Sequence, residues 1–231
     1  MFDVDKHKMV MLRILKDIYS DNKLMSFLGF KGGTMAYLFY DLPRFSVDLD
    51  FDLLDKNKEG TVFEELGVVV GRYGKLLESV VKKNTLFFLV DYGFEERKLK
   101  IEVTRCKTET DFVVMNYLGI SMLTMNQGAM VASKLWALVN RKKMANRDVF
   151  DIYYFLKNNW EMDEKLLKKL SGFKVKEVIE MAIARIGKIK KNEILFGLGD
   201  LLDNSTKEKV KKDLIRDVLL ELEMRKDRKI V

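Results

Sequence analysis

From Val47 to Leu53 the chain alternates without a break between apolar and acidic side chains. On a strand, Val47, Leu49, Phe51 and Leu53 share one face and Asp48, Asp50 and Asp52 the other. At a rise of about 3.3 Å per residue, carboxylates on one face stand roughly 6.6 Å apart. Three like charges at that spacing repel, so the face must be well solvated or neutralised by a cation. Two readings follow. One is an amphipathic edge strand with a solvated acidic face. The other is a set of hard oxygen ligands on a rigid strand, which suits Mg²⁺ or Mn²⁺. A pair of such ions, about 3.5–4 Å apart, clamps in-line phosphoryl chemistry.

Just upstream, Lys31-Gly32-Gly33-Thr34 follows an apolar strand (Phe27, Leu28, Phe30) and precedes a helical stretch, Met35 to Tyr40. Glycines at such a turn let backbone N–H groups approach an anion at the positive end of a helix. Thr34 is placed to act as N-cap or to offer its hydroxyl to a phosphate. No Gly-Lys-Ser/Thr ends the turn, so it is not a Walker P-loop. A plain tight turn has the same composition.

Further on, Thr85–Tyr92 and Lys98–Thr104 are predicted strands joined by a turn at 93–97. In the second, Glu102 falls on the polar face, either as a further carboxylate beside the Asp strand or as the cross-strand partner of a Lys or Arg. The segment 61–82 is predicted helical, and 106–120 an irregular connector. Thr124-x-x-Gln127 reads as a capping box opening a helix to about Lys143, and Asn146 as the N-cap of the next. On the first of these helices Lys134, Leu138 and Arg141 share a face. On the second, Asp148 and Asp151 are three apart. Ordinary salt bridges of a helical hairpin would use the same residues. An amphipathic helix at 4–20 and a final one from Ser205-x-x-Glu208 through Val210, Leu214, Val218 and Leu222 complete the pattern.

Gly32-Gly33-Thr34 followed by Arg44-Phe45-Ser46-x-Asp48-x-Asp50 resembles the first motif of the AbiEii/AbiGii toxin family of nucleotidyltransferases, in the polymerase-β-like superfamily. Lys100-Ile101-Glu102-Val103 is similar to its second carboxylate strand. Lys134-Leu135-x-Ala137-Leu138-x-x-Arg141 and Arg147-Asp148-x-x-Asp151 resemble its downstream motifs. The resemblance implies an α+β fold: a nucleotidyltransferase mixed sheet with flanking helices over residues 1–120 and a C-terminal helical lobe over 121–231. It implies metal ligands Asp48 and Asp50, with Glu102 (or Asp52) as the third carboxylate. It places Gly32, Gly33, Thr34, Lys134, Arg141 and Arg147 around a nucleoside triphosphate, with Arg44 orienting Asp48 or touching phosphate and Ser46 in the same motif. Asp148 would hold a cation or act as base. The implied activity is a toxin, of toxin–antitoxin or phage-defence type, that uses Mg²⁺ or Mn²⁺ to move a nucleotide from an NTP to an acceptor such as the tRNA 3′ end. A cognate antitoxin is the implied partner. Transfer to a protein hydroxyl, a metal-dependent nuclease and a catalytically silent binding module remain alternatives.

Composition narrows the chemistry. With one His and one Cys, Zn sites and Ser-His or Cys-His catalysis are excluded. The lone Cys106 cannot form an intrachain disulfide, which suits a reducing cytoplasm. His7 reads as a surface residue. No apolar run is long enough for a membrane span, and the charged N-terminus carries no visible secretory signal. The net charge of +7 lies wholly in the second half: residues 1–115 carry 18 Lys/Arg against 19 Asp/Glu, and the remainder 24 against 16. A near-neutral half bearing the acidic motif and a basic half suit an enzyme that handles a polyanion, although a solvated basic surface would look the same.

Overall fold

The computed structural model describes residues 3–93, 97–105 and 110–226. Cys106, the middle of the turn expected at 93–97 and the tail from Asp227 lie outside the described residues. The chain forms two compact units, one of residues 1–41 and 45–125 and the other of residues 42–44 and 126 onward.

The first unit is a seven-stranded mixed sheet in the order β3-β4-β5-β2-β1-β7-β6. Its strands are β1 (Leu28–Lys31), β2 (Asp48–Leu53), β3 (Lys75–Val81), β4 (Thr85–Asp91), β5 (Leu99–Thr104), β6 (Phe112–Tyr117) and β7 (Ile120–Met125). β2 runs parallel to β5, and β1 parallel to β7; the remaining pairs are antiparallel. The alternation at 47–53 does what its period requires: Leu49, Phe51 and Leu53 are buried beside Ile101, Val103, Leu86 and Phe88. Helices α1 (Val4–Ser20), α2 (Gly32–Phe39) and α3 (Glu59–Gly71) flank the sheet. α1 buries Met11, Ile14, Leu15 and Ile18 at helical spacing. Its Tyr19 hydroxyl reaches the carbonyls of Leu28 and Leu123 at 3.0 and 3.1 Å, tying the helix to β1 and β7.

Several expectations fail, each for a physical reason. The helix expected at 61–82 stops at Gly71 and the chain turns into β3. β3 is an edge strand with both faces largely solvated, so no burial period marks it in the sequence. The connector expected at 106–120 contains β6, joined to β7 by Leu118-Gly119, both at positive φ (49° and 81°). That two-residue hairpin turn normally announces itself as Asn-Gly, and here it does not. Thr124 opens no helix. It lies in β7 with its hydroxyl donating to the Val113 carbonyl at 3.0 Å. Asn126 is the cap, accepting from the Ala129 N–H at 2.8 Å. His7, expected at the surface, is fully buried. Its Nε2 sits 3.0 Å from the Val47 carbonyl, which can only accept, so Nδ1 is left to the Tyr92 hydroxyl.

The second unit is helical: α4 (Gln127–Asn140), α5 (Asn146–Lys157), α6 (Glu164–Ser171), α7 (Val175–Ile186) and α8 (Asn204–Lys226). The run Val210, Leu214, Val218 and Leu222 is buried as its four-residue spacing predicts. The start of α8 is held by Asp203, which accepts from the Thr206 N–H at 2.9 Å, rather than by Ser205 and Glu208. Asn146 does not cap α5; its side chain is committed elsewhere, to carbonyls at 193 and 196. Phe155 stacks on Trp160 with centroids 4.3 Å apart. Among the described residues no helix is long and apolar enough to cross a membrane.

Gly74, at the entry to β3, is held against backbone: a Cβ there would lie 2.3 Å from the Asp91 carbonyl oxygen. Neither partner is a flexible side chain, so Gly74→Ala should lower stability by about 1–3 kcal/mol. The urea midpoint of the purified variant measures this, and an unchanged midpoint would contradict it.

Candidate active site

The polar face of β2 and β5 gathers the acidic residues. The parallel register sets Asp48 beside Lys100, Asp50 beside Glu102, and Asp52 beside Thr104. The antiparallel register sets Lys31 of β1 beside Asp50. Glu102 therefore stands next to the Asp strand, as its place on the polar face predicted. The two candidates for third carboxylate part company here. Asp52 is 2 % exposed and its carboxylate is taken by Lys31, which also reaches the Thr104 hydroxyl at 2.8 Å. Glu102 stays partly exposed, directly across from Asp50.

Lys100 is the residue that the sequence reading passed over. Its ammonium lies 3.2 Å from an Asp48 carboxylate oxygen and 3.1 Å from one of Glu102. Burial works against charge on Lys100, but Asp48, Glu102 and Asp50 outweigh it and hold the ammonium above the ordinary lysine range. Asp50 shows the opposite side of the same balance. Burial first, and then the neighbouring Asp48 and Glu102, push its carboxyl above the ordinary carboxylate range, while Lys31 and Lys100 pull it down. The signal for Lys100 was available: it lies two residues from Glu102, on the same face of the strand.

The glycine turn serves this face. α2 begins at Gly32 with Lys31 at the N-cap position and no side-chain cap, so the N-cap expected at Thr34 is not formed. Thr34 is fully buried in the first turn, and its hydroxyl donates to the backbone carbonyl of Asp48. Gly32 has φ +83°, and a Cβ on it would lie 2.5 Å from an Asp50 carboxylate oxygen. Glycine is thus needed twice over: for the left-handed backbone and for the approach of Asp50. Ser46, in the same motif, is buried.

Do these residues fit a divalent metal? The donors are oxygens, as Mg²⁺ and Mn²⁺ prefer. Among the described residues no three acidic, His or Cys side chains are grouped to hold an ion. At Asp48 and Glu102 an ammonium takes the position of the cation. The chemistry fits, and Lys100 would have to yield.

In the second unit the downstream motifs form a buried ionic cluster. Lys134 lies 3.0 Å from carboxylate oxygens of both Asp148 and Asp151. Arg141 takes the other oxygen of Asp148 at 2.7 Å. Arg44 grips Asp151 with two parallel bonds, Nε at 2.6 Å and Nη2 at 2.7 Å. Its guanidinium is 2 % exposed and engages Asp151. Burial disfavours the charge on Asp151, yet Arg44 and Lys134 hold its carboxyl below the ordinary range. Burial likewise opposes charge on Lys134, and Asp151 and Asp148 more than compensate. Arg147 sits on the first turn of α5, partly exposed. Asp151, which the spacing marked only as a neighbour of Asp148, proves to be the centre of the cluster. Its signal was the three-residue step that puts both acids on one helix face.

Comparison with known proteins bears on the family and the fold. The family model described as "Nucleotidyl transferase AbiEii toxin, Type IV TA system" matches residues 13–227. Among solved structures, the chain resembles MenT4, a nucleotidyltransferase toxin of Mycobacterium tuberculosis, with a TM-score of 0.60 and 16 % identity over 95 % of this chain and 83 % of that one. It resembles a putative nucleotidyltransferase of Helicobacter pylori with a TM-score of 0.57 and 18 % identity over 96 % of this chain and 97 % of the other. JHP933 of the same bacterium gives 0.56 and 18 % over 96 % and 94 %. Identities this low speak for a common fold. No curated protein sequence matches.

Two outcomes follow. In Gly32→Ala the new methyl group must displace Asp50 and strain the turn; nucleotide transfer should fall by at least tenfold while the circular dichroism spectrum is kept. The second concerns pH. A carboxyl whose folded-state pKa lies below its unfolded one stabilises above the unfolded pKa and loses that contribution as pH falls. Asp151 is such a group. Stability in urea should therefore drop as pH falls below about 4, the ordinary Asp range, and Asp151→Asn, already destabilised by the loss of its ion pairs with Arg44 and Lys134, should show a flatter acid limb. Identical acid limbs would remove Asp151 from this role.

Proposed function

Because the chain belongs to the AbiEii family of nucleotidyltransferase toxins of type IV toxin–antitoxin systems, and is itself a nucleotidyltransferase, we propose that it moves a nucleotide from a nucleoside triphosphate to a hydroxyl of an RNA acceptor such as the tRNA 3′ end. A cognate antitoxin is the partner that the family implies. The observation that carries the proposal is the register of β2 and β5, which sets Glu102 beside Asp50 on the face that also bears Asp48.

In this reading the acceptor oxygen forms a bond to the α-phosphorus, the bond from that phosphorus to the bridging oxygen breaks, and pyrophosphate leaves. Asp48, Asp50 and Glu102 would hold a divalent ion, Mg²⁺ or Mn²⁺, whose chemistry there would be Lewis-acid neutralisation of phosphate charge. Glu102 positions the acceptor hydroxyl and takes its proton. Gly32 and Gly33 present backbone N–H groups of the uncapped α2 start to phosphate oxygens, and Thr34 does so through its backbone while its hydroxyl steadies Asp48. Ser46 belongs to the same motif. Lys134 serves the triphosphate as a point cation, and Arg141 and Arg147 serve it with their planar forks. Both oxygens of Asp148 are engaged, by Lys134 and Arg141, which supports a holding role for it over that of a base. Arg44 acts through Asp151 as a positioning residue.

The test is to incubate the protein with cellular RNA, protein extract, Mg²⁺ and each α-labelled triphosphate in turn. Label on RNA supports the proposal. Label on protein moves the acceptor, RNA shortening without triphosphate points to a nuclease, and no change points to a silent module. Asp50→Ala should lose label transfer and keep its fold; wild-type rates would remove Asp50 from the site. Lys134→Ala should raise the KM for triphosphate, and unchanged kinetics would leave Lys134 with its ion pairs alone.

A further inference from the structure

A cleft of mixed lining lies within the helical unit, with a volume of about 390 Å³. That is in the range of small-ligand pockets. It is bordered by Lys143, Asn146, Arg185, Lys188, Glu193 and Phe196. Two of these build its frame. The Asn146 amide donates to the carbonyls of Glu193 at 2.7 Å and Phe196 at 3.3 Å, pinning the segment that carries the aromatic ring. The Arg185 guanidinium donates to the carbonyl of Val139 and, at 2.7 Å, to that of Arg141, closing the end of α4.

On this frame Phe196 is 73 % exposed, an aromatic ring held by backbone bonds and facing solvent. The Lys143 ammonium lies 5.3 Å from its centroid. Lys143, Arg185 and Lys188 set three positive charges against the one carboxylate of Glu193. A cation site would need more oxygen ligands than this, and an apolar peptide would leave the three cations beside Met144, Ile189 and Phe196 without a counter-charge. A stacking face beside cations matches a nucleobase and its phosphate. A duplex hides its base faces, so the match is to a single strand.

We propose that the cleft around Phe196 binds one unpaired nucleotide of the RNA acceptor, its base stacked on Phe196 and its phosphates on Lys143 and Lys188. The inference rests on RNA being the acceptor and adds where that strand is held. The incoming base displaces Lys143 from the ring, freeing its ammonium for phosphate.

The experiment is fluorescence anisotropy of the full chain with a fluorescein-labelled single-stranded oligoribonucleotide, without triphosphate. Stacking on one aromatic ring is worth about 1–3 kcal/mol by alanine substitution, so Phe196→Ala should weaken binding by about tenfold, while Phe196→Trp keeps it. Replacing both Lys143 and Lys188 by Gln should flatten the slope of log K against log salt by about 1.4, from roughly 0.7 per single-strand phosphate contact. The same sequence as a duplex should compete poorly. Unchanged affinity in Phe196→Ala with an unchanged circular dichroism spectrum, an unchanged salt slope, or equal binding of duplex would overturn the inference. Transfer assays separate the two readings. RNA labelling with an unaltered KM for RNA in Phe196→Ala removes the cleft and keeps the transferase. Phe196-dependent strand binding without any label on RNA keeps the cleft and removes the RNA acceptor.

Discussion

Everything in the first unit answers to one electrostatic constraint: four carboxylates, Asp48, Asp50, Asp52 and Glu102, crowd the polar face of two neighbouring parallel strands. The fold settles the charge unevenly along that face. At one end Asp52 is buried and closed off by Lys31 and Thr104, becoming part of the framework. At the other, Lys100 bridges Asp48 and Glu102. Between them burial and the neighbouring acids push the Asp50 carboxyl above the ordinary carboxylate range, against a glycine that has no room for a methyl group. This is the physical reason for expecting chemistry there rather than at Asp52, which the sequence pattern alone does not separate from it.

The helical unit solves the opposite problem. Its cluster holds three cations, Arg44, Lys134 and Arg141, on two carboxylates, Asp148 and Asp151. Removing one member of such a buried set leaves an uncompensated charge and is costly, whereas the intact set adds little net stability. Its value lies in placement. Lys134 is kept charged despite its burial by Asp151 and Asp148.

Many lysines of the second half are solvent-exposed, but its positive charge has other uses as well. Part of it is consumed in the ionic cluster, and part frames the cleft at Phe196. The same charge count in the sequence would be compatible with either use. Only the pinning of residues 193–196 by Asn146 brings an exposed ring and lysines into one concavity.

Short-range periodicity made much of this legible. The alternation at 47–53 determined a strand with an acidic face, the four-residue spacing of Val210 to Leu222 determined a buried helix stripe, and the glycine–carboxylate spacing determined the motif. These signals are readable because burial on one side imposes a period on the chain. Where burial imposes none, the sequence is silent, as in the solvated edge strand β3 and the hairpin at Leu118-Gly119. Pairing is the other thing that sequence does not contain. The burial of His7, the closing of Asp52 by Lys31, the placing of Lys100 between two acids and the commitment of Arg44 to Asp151 all join residues distant in the chain. Which side chains are present was written in the sequence; which of them neutralise one another depends on register and packing, and only the tertiary structure decided that.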